Sequence, residues 1–553
     1  MSFLRNSTRD YIDRGNEYFT QGDYGEALKC YRKALCLDKT LSVAYFNIAN
    51  ILAIQSKFYP AEQHYKYAIR YKRDFPEAFN NLGNVLREQG KLSEAYEAYK
   101  KALFFKCDYF EAYNGLGNVL QSEGNIEDAI NSYRKAIDLN PKYQIAKSNL
   151  LLCLNYSSNI KLQNIYEEHT KLAESIEKSV KRFKRTNPIN KIKDKIRIGY
   201  LSPDFRRHSV GYFIRPIIEC HNRDDFVVFA YSDVITRDTF TDEIEKMSDH
   251  FVDCARFNEN ELYQKICDDK IDILFDLAGH SGYNRLTIFA MKPAPIQITW
   301  IGYPNTTGLK TMDYRIVDEI TDPIGMTESI NSEKLLRMPY CFLCYSPPKD
   351  APIVEKAPFL KNGFITFGSF NNLSKINDFT VDLWSKVLHL RNDSKMLIKS
   401  KTFIDKGVRD RFLKRFQERG IDESRLILMP HVKSFREHLD VYNSIDIALD
   451  CYPYNGTTTT FEALFMGVPV ITLSGNSHVS RVGMSILTNL FIEGLIAKNS
   501  DEYIKISSNL ISNPDIIISL RKALRGILMN SILVDKMAFT RQLEEMLKKI
   551  ILT

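Results

Sequence analysis

Several things are missing from this chain. No run of about 18 apolar residues occurs, so no membrane-spanning helix is expected. The opening MSFLRNSTRD has no apolar core of the kind a secretory leader needs. The ten cysteines are scattered without a paired framework. Cys341 and Cys344 make one CxxC in PYCFLCYSP, with no second pair nearby. Packed strand residues explain that spacing better than zinc ligands do. A reducing compartment, cytosol or nucleus, is expected. Net charge is only +7 over 553 residues, too small to imply a nucleic-acid partner. The second half lacks GxGxxG and GxxxxGK[ST], which excludes a standard dinucleotide fingerprint and a P-loop there. There is no Asp-x-Asp cluster to hold a metal and a nucleotide diphosphate, so no metal ligands and no cofactor are expected.

What is present is enough for three or four domains, with 44% apolar residues for their cores and 26% charged residues for their surfaces. The first third repeats. AYFNIANILAIQSKFYPAEQHYKYAIRYKRDFPE is followed by AFNNLGNVLREQGKLSEAYEAYKKALFFKCDYFE, then by AYNGLGNVLQSEGNIEDAINSYRKAIDLNPKYQI, at a period of 34. Ala27, Ala61, Ala95 and Ala129 share one column. Tyr31, Tyr65, Tyr99 and Tyr133 share another, and Ala34, Ala68, Ala102 and Ala136 a third. Small residues let paired helices approach, and the tyrosine fills the gap between them. This is the tetratricopeptide pattern, with four full copies and a partial fifth beginning near Ala146, over residues 8–154. Such repeats stack into a superhelix with a concave face.

Asn16, Asn50, Asn84 and Asn118 also recur every 34 residues. An asparagine amide donates and accepts at once, so the column is read as a ladder that grips an extended protein substrate by its backbone. The competing reading is that these side chains cap or bridge neighbouring repeats. The repeats are also a candidate surface for a homodimer.

Residues 155–194 lose the period and are read as a helical linker, with one helix over IYEEHTKLAESIEKSVKRFKR. The basic cluster from Lys181 to Lys195 reads either as a nuclear address or as a solvated linker face.

From residue 195 short β-branched and aromatic runs alternate with helical stretches: KIRIGYLS, FVVFAYS, IDILFDLA, IQITWIGYP and YRIVD, then GFITFGSF, KMLIKS, RLILMP, SIDIALD and VPVITLS. The expected fold class is therefore α plus α/β. A repeat superhelix precedes two doubly wound lobes, residues 195–345 and 360–545. Ligands of such sheets bind beyond the carboxyl ends of the strands. The unusual polar residues fall there: Asp204 and His208, Gly279 and His280, then Thr306, Thr307 and Gly308 in the first lobe. The second has Asn371, Asn372 and Lys375, then His431 and His438, then DCYPYNGTTTTFEALF, residues 450–465.

The threonine run sits where a helix begins. Free backbone N–H groups, the helix dipole, the hydroxyls of Thr457, Thr458 and Thr459, and nearby Lys375 together make an anion site. Diphosphate is the natural guest. Glu462, one turn into the helix, is placed to accept from ribose hydroxyls.

At these residues the chain resembles the nucleocytoplasmic protein O-glycosyltransferases, the family of O-GlcNAc transferase and SPINDLY. The resemblance spans nearly the whole chain. SPDFRRHSVGYFI, KPAPIQITWIGYPNTTGL, MPYCFLCY, FGSFNNLSKI, YPYNGTTTTFEALFMGVP and LIAKNSDEY are closest to the SPINDLY-type branch. The resemblance implies a GT-B glycosyltransferase with two Rossmann-like lobes. It implies that Lys375 and Thr457 to Thr459 hold the donor diphosphate. Asn372 would touch the donor, and His438 would pack against the nucleotide. Glu462 would bind ribose, with base contacts near Val432 and Lys433. His208 would be the catalytic base, with His280 as second candidate. It implies inverting, metal-independent transfer of fucose from GDP-fucose to Ser/Thr hydroxyls of nuclear and cytosolic proteins. Transfer of GlcNAc from UDP-GlcNAc is the alternative, and a non-catalytic repeat scaffold the second. The repeat array is shorter than is usual in the family, which implies fewer gripped substrates. The long insert between the lobes of animal O-GlcNAc transferase is missing, leaving a junction of about 345–360.

Overall fold

The computed structural model describes residues 2–180, 195–432 and 434–552. They form two compact units, Met1–Lys147 with Ser400–Lys414, and Ser148–Lys399 with Arg415–Thr553. Of the basic cluster only Lys195 is described, and the expected base contact at Lys433 also falls outside the described residues.

The first unit is built from helix pairs: α1 (Ser2–Thr20) with α2 (Tyr24–Leu37), α3 (Ser42–Ile54) with α4 (Phe58–Tyr71), α5 (Pro76–Glu88) with α6 (Leu92–Phe105), and α7 (Phe110–Ser122) with α8 (Ile126–Leu139). The repeat columns are its core. Every alanine named above is fully buried, and so are the four tyrosines. Each tyrosine needs a small residue facing it. A Cβ on Gly15, Gly83 or Gly117 would come within 2.5, 2.7 and 2.6 Å of the Tyr31, Tyr99 and Tyr133 rings respectively.

The next residue in each copy is the asparagine of the ladder, and its role is plain. The tyrosine hydroxyl donates to it: Tyr31 to Asn16 Oδ1 at 2.8 Å, Tyr65 to Asn50 at 2.6 Å, Tyr99 to Asn84 at 2.7 Å and Tyr133 to Asn118 at 2.8 Å. Adjacent copies are tied as well, because Asn47 and Asn81 donate to Asn16 and Asn50 at 3.0 Å. At Asn16 and Asn50 both acceptor sites of the amide oxygen are used inside the repeats, and at Asn84 and Asn118 at least one is, which is the bridging role. At Asn16 and Asn50 the expected double grip on a peptide backbone therefore loses its acceptor half.

Helix α9 (Gln144–Leu154) leads into the second unit, where α10 (Leu162–Ser179) follows. Residues 155–179 are not a spacer. His169 is fully buried, its Nε2 2.8 Å from the Tyr303 hydroxyl, and Asn155 Nδ2 donates to that hydroxyl at 3.1 Å. The expected linker is integral to the catalytic unit because its apolar face, Ile165, Leu172, Ala173 and Ile176, is buried there.

Two parallel sheets carry the rest. The first contains β1 (Ile196–Ser202), β2 (Phe226–Ser232), β3 (His250–Asp253), β4 (Ile273–Asp276), β5 (Ile296–Thr299), β6 (Tyr314–Asp318) and β7 (Lys334–Met338), in the order 3-2-1-4-5-6-7. The second contains β8 (Thr366–Ser369), β9 (Lys395–Lys399), β10 (Leu426–Met429), β11 (Ile447–Leu449), β12 (Val470–Leu473) and β13 (Ile496–Ala497), in the order 10-9-8-11-12-13. Strand order reverses between β1 and β4 in one sheet and between β8 and β11 in the other. Those two switch points open the crevices where ligands bind.

Two expectations are corrected. The expected second lobe, residues 360–545, takes in the first part of the last helix, Lys536–Leu552, which packs on the first lobe. Phe539 stacks on Trp300 with centroids 5.9 Å apart, and Glu544 Oε1 lies 3.0 Å from His221 Nδ1. Cys341 and Cys344 are buried, as expected, but in the irregular segment after β7 rather than in a strand. Burial pushes both thiols up, so neither is a ready thiolate.

Candidate active site

Both switch points of the second unit open onto one cavity of about 330 Å³. One wall begins with Asp450 at the end of β11. This carboxylate is buried. It accepts from Gly456 N at 2.6 Å, Cys451 N at 2.9 Å and Thr472 Oγ1 at 2.8 Å. Burial raises it to about 6, and Lys375 opposes the shift. The clamp folds residues 451–456 into a tight loop that delivers Thr457 as N-cap of the helix Thr458–Phe465. Gly456 has no room for a side chain: a Cβ would stand 2.6 and 2.7 Å from the Thr459 and Thr460 hydroxyls.

The four threonines divide their work. Thr460 Oγ1 donates back to Gly456 O at 3.0 Å and does not line the cavity. Thr459 Oγ1 donates to Asn371 Oδ1 at 2.9 Å, which ties the helix start to the end of β8. Thr457 makes no side-chain cap bond, so it does not close the helix start, and Thr457, Thr458 and Thr459 all line the cavity. Thr460 N donates to Thr457 O at 3.1 Å, while the N–H groups of Thr458 and Thr459, which line the cavity, make no hydrogen bond among the described residues.

Lys375 completes this wall. It ends a short helical turn after β8, capped by Asn372. Its Nζ donates to Asn455 O at 2.8 Å and lies 4.1 Å from the Tyr454 ring centre. Burial lowers it to about 8, so it remains a cation at neutral pH, and an anion nearby would relieve the cost. Asn372 is exposed and lines the cavity.

The opposite wall comes from the first sheet. His208 caps α11 (Ser209–Cys220) and is partly exposed to the cavity. Its Nδ1 lies 3.4 Å from Asp204 Oδ2 and 3.4 Å from Val210 N. Burial holds its pKa below the ordinary value, against the pull of Asp204, so the imidazole is neutral near pH 7. Nδ1 either accepts the cap bond from Val210 N–H or, in the other tautomer, donates to Asp204, and the second tautomer leaves Nε2 to accept a proton. The loop after β5 closes the floor. Its Gly302 lies so near Leu277 that a Cβ would stand 1.8 Å from the carbonyl oxygen, so only glycine fits. Tyr156 stacks on Tyr454, 5.0 Å between centroids, at the rim.

Three expected site residues lie elsewhere. His280 is sealed off the cavity: Nε2–H donates to Thr307 O at 2.8 Å, and Nδ1 is buried without a hydrogen-bond partner. Burial lowers it to about 4. It cannot reach a substrate hydroxyl, which corrects its candidacy as a base. Glu462 is also buried. Its Oε2 lies 2.8 Å from His438 Nε2 and accepts from the Tyr442 hydroxyl at 3.0 Å. Through Oε2 it orients His438, and Oε1 makes no hydrogen bond among the described residues. His438 has both ring nitrogens committed, Nδ1 to Lys399 and Nε2 to Glu462, and stacks on Phe435 at 5.7 Å. A nucleotide would meet it by ring packing. His431 is exposed.

Sequence reasoning placed Asn371 at a strand end but gave it no role, and it missed Asp450, Lys399, Arg315, Asp322 and His478. Asp450 could have been found, because it sits at a strand end in the stretch already singled out. The fifth strand end, SGNSHVSRVG after VITLS, follows the same rule.

Models of known families match this chain in two places. Tetratricopeptide models match residues 15–56, 83–124 and 110–143, and the model of glycosyl transferase family 41 matches 153–347 and 346–543. The chain belongs to glycosyl transferase family 41. A curated tomato (Solanum lycopersicum) protein, described as a probable UDP-N-acetylglucosamine–peptide N-acetylglucosaminyltransferase SPINDLY, is 38% identical over 410 residues, 73% of this chain and 44% of that protein. The Arabidopsis thaliana protein of the same description is also 38% identical, over 73% of this chain and 45% of that one. The chain thus spans less than half the length of these relatives. The solved structure of a mutant Thermobaculum terrenum O-GlcNAc transferase superposes with a TM-score of 0.87 at 32% identity, covering 92% of this chain and 97% of that one. The family match begins at residue 153, consistent with residues 155–179 belonging to the catalytic unit. No helix among the described residues is long and apolar enough to cross a membrane.

Proposed function

We propose that this family 41 glycosyltransferase is an inverting, metal-independent protein O-fucosyltransferase. It transfers fucose from GDP-fucose to Ser/Thr hydroxyls of cytosolic and nuclear proteins. The observation that carries the reading is the pairing of Lys375 and the open helix start at Thr457 to Thr459 with neutral His208 in one cavity. In this mechanism an acceptor hydroxyl attacks the anomeric carbon as its proton passes to His208. Negative charge builds on the departing diphosphate, where preorganised donors do most for the rate. Lys375 supplies the positive charge that a metal ion supplies in other sugar-nucleotide sites.

The SPINDLY-type motifs favour fucose. The printed descriptions of the tomato and Arabidopsis relatives name UDP-GlcNAc instead, and that supports a second reading, a protein O-GlcNAc transferase. Incubating the chain and a protein extract with labelled GDP-fucose or UDP-GlcNAc, with and without EDTA, separates them. Label on protein from GDP-fucose, insensitive to EDTA, is expected. Label from UDP-GlcNAc alone would move the chain to the second reading, and label from neither would leave a repeat scaffold.

A further inference from the structure

The cavity contains a second histidine–carboxylate pair. His478 opens the turn His478–Ser480 after β12 and lines the cavity. Its Nδ1 lies 2.6 Å from Asp322 Oδ2, and its ring meets Phe342 edge-on at 4.9 Å. Asp322 is buried, and its Oδ1 is 3.7 Å from Arg315, which also lines the cavity and donates to Asn331 at 2.9 Å. An ionised carboxylate only accepts, so Nδ1 carries the proton and Nε2 presents a lone pair. Nε2 makes no hydrogen bond among the described residues, yet it is not sealed away unpaired as His280 Nδ1 is.

The turn is stitched to the phosphate wall. Asn455 O accepts from Lys375 at 2.8 Å, while Asn455 N donates to Val479 O at 3.0 Å. His478 therefore faces the cavity from a turn bonded to the same loop that Lys375 holds.

A second general base is the less suitable role. Protonated His478 would be a buried cation next to the Arg315 guanidinium, and Arg315 already shares the charge of Asp322. Burial and Arg315 both hold the imidazole below its ordinary pKa, against Asp322. A neutral acceptor in a fixed orientation is what remains.

We infer that His478, aimed by Asp322 and Arg315, is a sugar-recognition residue whose Nε2 accepts a hydrogen bond from one hydroxyl of the sugar being transferred. This rests on the reading of the cavity as a nucleotide-sugar site. The test compares wild type, His478→Phe and His478→Gln for affinity towards GDP or UDP alone. It also measures KM for whichever donor the wild type uses and for analogues lacking one sugar hydroxyl at a time. His478→Phe should hold the nucleotide within about 2-fold of wild type but raise the donor KM about 3- to 10-fold, the value of one hydrogen bond. One analogue should be penalised by a similar factor in wild type and not further in His478→Phe, and His478→Gln should recover part of the loss. Should His478→Phe fail to fold, discrimination against that analogue that is weakened but not abolished in His478→Gln carries the same result. Equal weakening of nucleotide and donor, or an unchanged analogue pattern, would overturn the inference alone. A wild type that uses neither donor would overturn the site reading together with it.

Discussion

The asparagine ladder of the repeats and the threonine run after β11 are both sets of small polar side chains at recurring or consecutive positions, and they are used in opposite ways. Each ladder Oδ1 is taken by a tyrosine of its own copy, and at Asn16 and Asn50 by the neighbouring copy as well. Their polarity is consumed in holding helices together. After β11 the fold does the reverse. Asp450, Asn371 and the Thr460 back-bond fix the loop, so that Thr457 and Thr458 need not close the helix start themselves. Polar groups with partners inside the fold report how it is held. Polar groups that the fold props open towards a cavity report what it binds.

That contrast breaks most readily at Lys375. Lys375→Ala should lower transfer by about 100- to 1,000-fold, the scale of losing a charge-stabilising donor, with the melting temperature unchanged or raised because a buried cation is removed. Turnover near wild type would remove the diphosphate wall from the account.

The ladder separates its two halves by substitution. Replacing Asn50, Asn84 and Asn118 by Ala takes the asparagine acceptor from Tyr65 and Tyr99, at about 1 kcal/mol each, and leaves Tyr133 with Gln121, so the repeats should melt earlier. Replacing the same three by Asp keeps an acceptor for each tyrosine and removes the amide donor. The Asp variant should fold as well as wild type, modify protein substrates several-fold more slowly and hydrolyse donor at the wild-type rate. Equal loss of both activities would make the ladder purely structural.

The smallest effect is a pH signature of Lys375, lowered to about 8 from 10.5. Between those values the unfolded chain still holds the proton that the folded chain has lost. Stability of the ligand-free protein therefore gains a contribution as pH rises through that window. Affinity for the diphosphate needs the cation and falls across the same window. Titrating melting temperature with and without nucleotide should show the two trends diverging above about pH 8, and parallel curves would contradict the placement of Lys375 at the phosphates.

Much of this was legible in the residues. The 34-residue columns map directly onto buried contacts, because each column is one recurring packing problem. The strand ends located Lys375, Asn372, His208 and the threonines, because a parallel sheet delivers them to its switch points. Direction was not legible. His280 and His208 both follow strands, yet one points into the core and the other into the cavity, and this depends on Tyr303, from a separate loop, for the first and on the neighbouring Asp204 for the second. Glu462 shows the same limit: helical spacing gives its face but not that His438 stands in front of it. The edge strands β3, β7 and β13 were missed because they are short and partly exposed, without the continuous apolar run of the central strands.

The central claim is that the wall of Lys375 and Thr457 to Thr459 holds a nucleotide diphosphate without a metal. It is tested most directly by thermal shift of the purified chain with GDP-fucose, UDP-GlcNAc, GDP and UDP, each with and without EDTA, beside Lys375→Ala. The account predicts stabilisation by the GDP compounds, indifferent to EDTA and lost in the variant. No shift with any of the four, or a shift that Lys375→Ala retains in full, would contradict it.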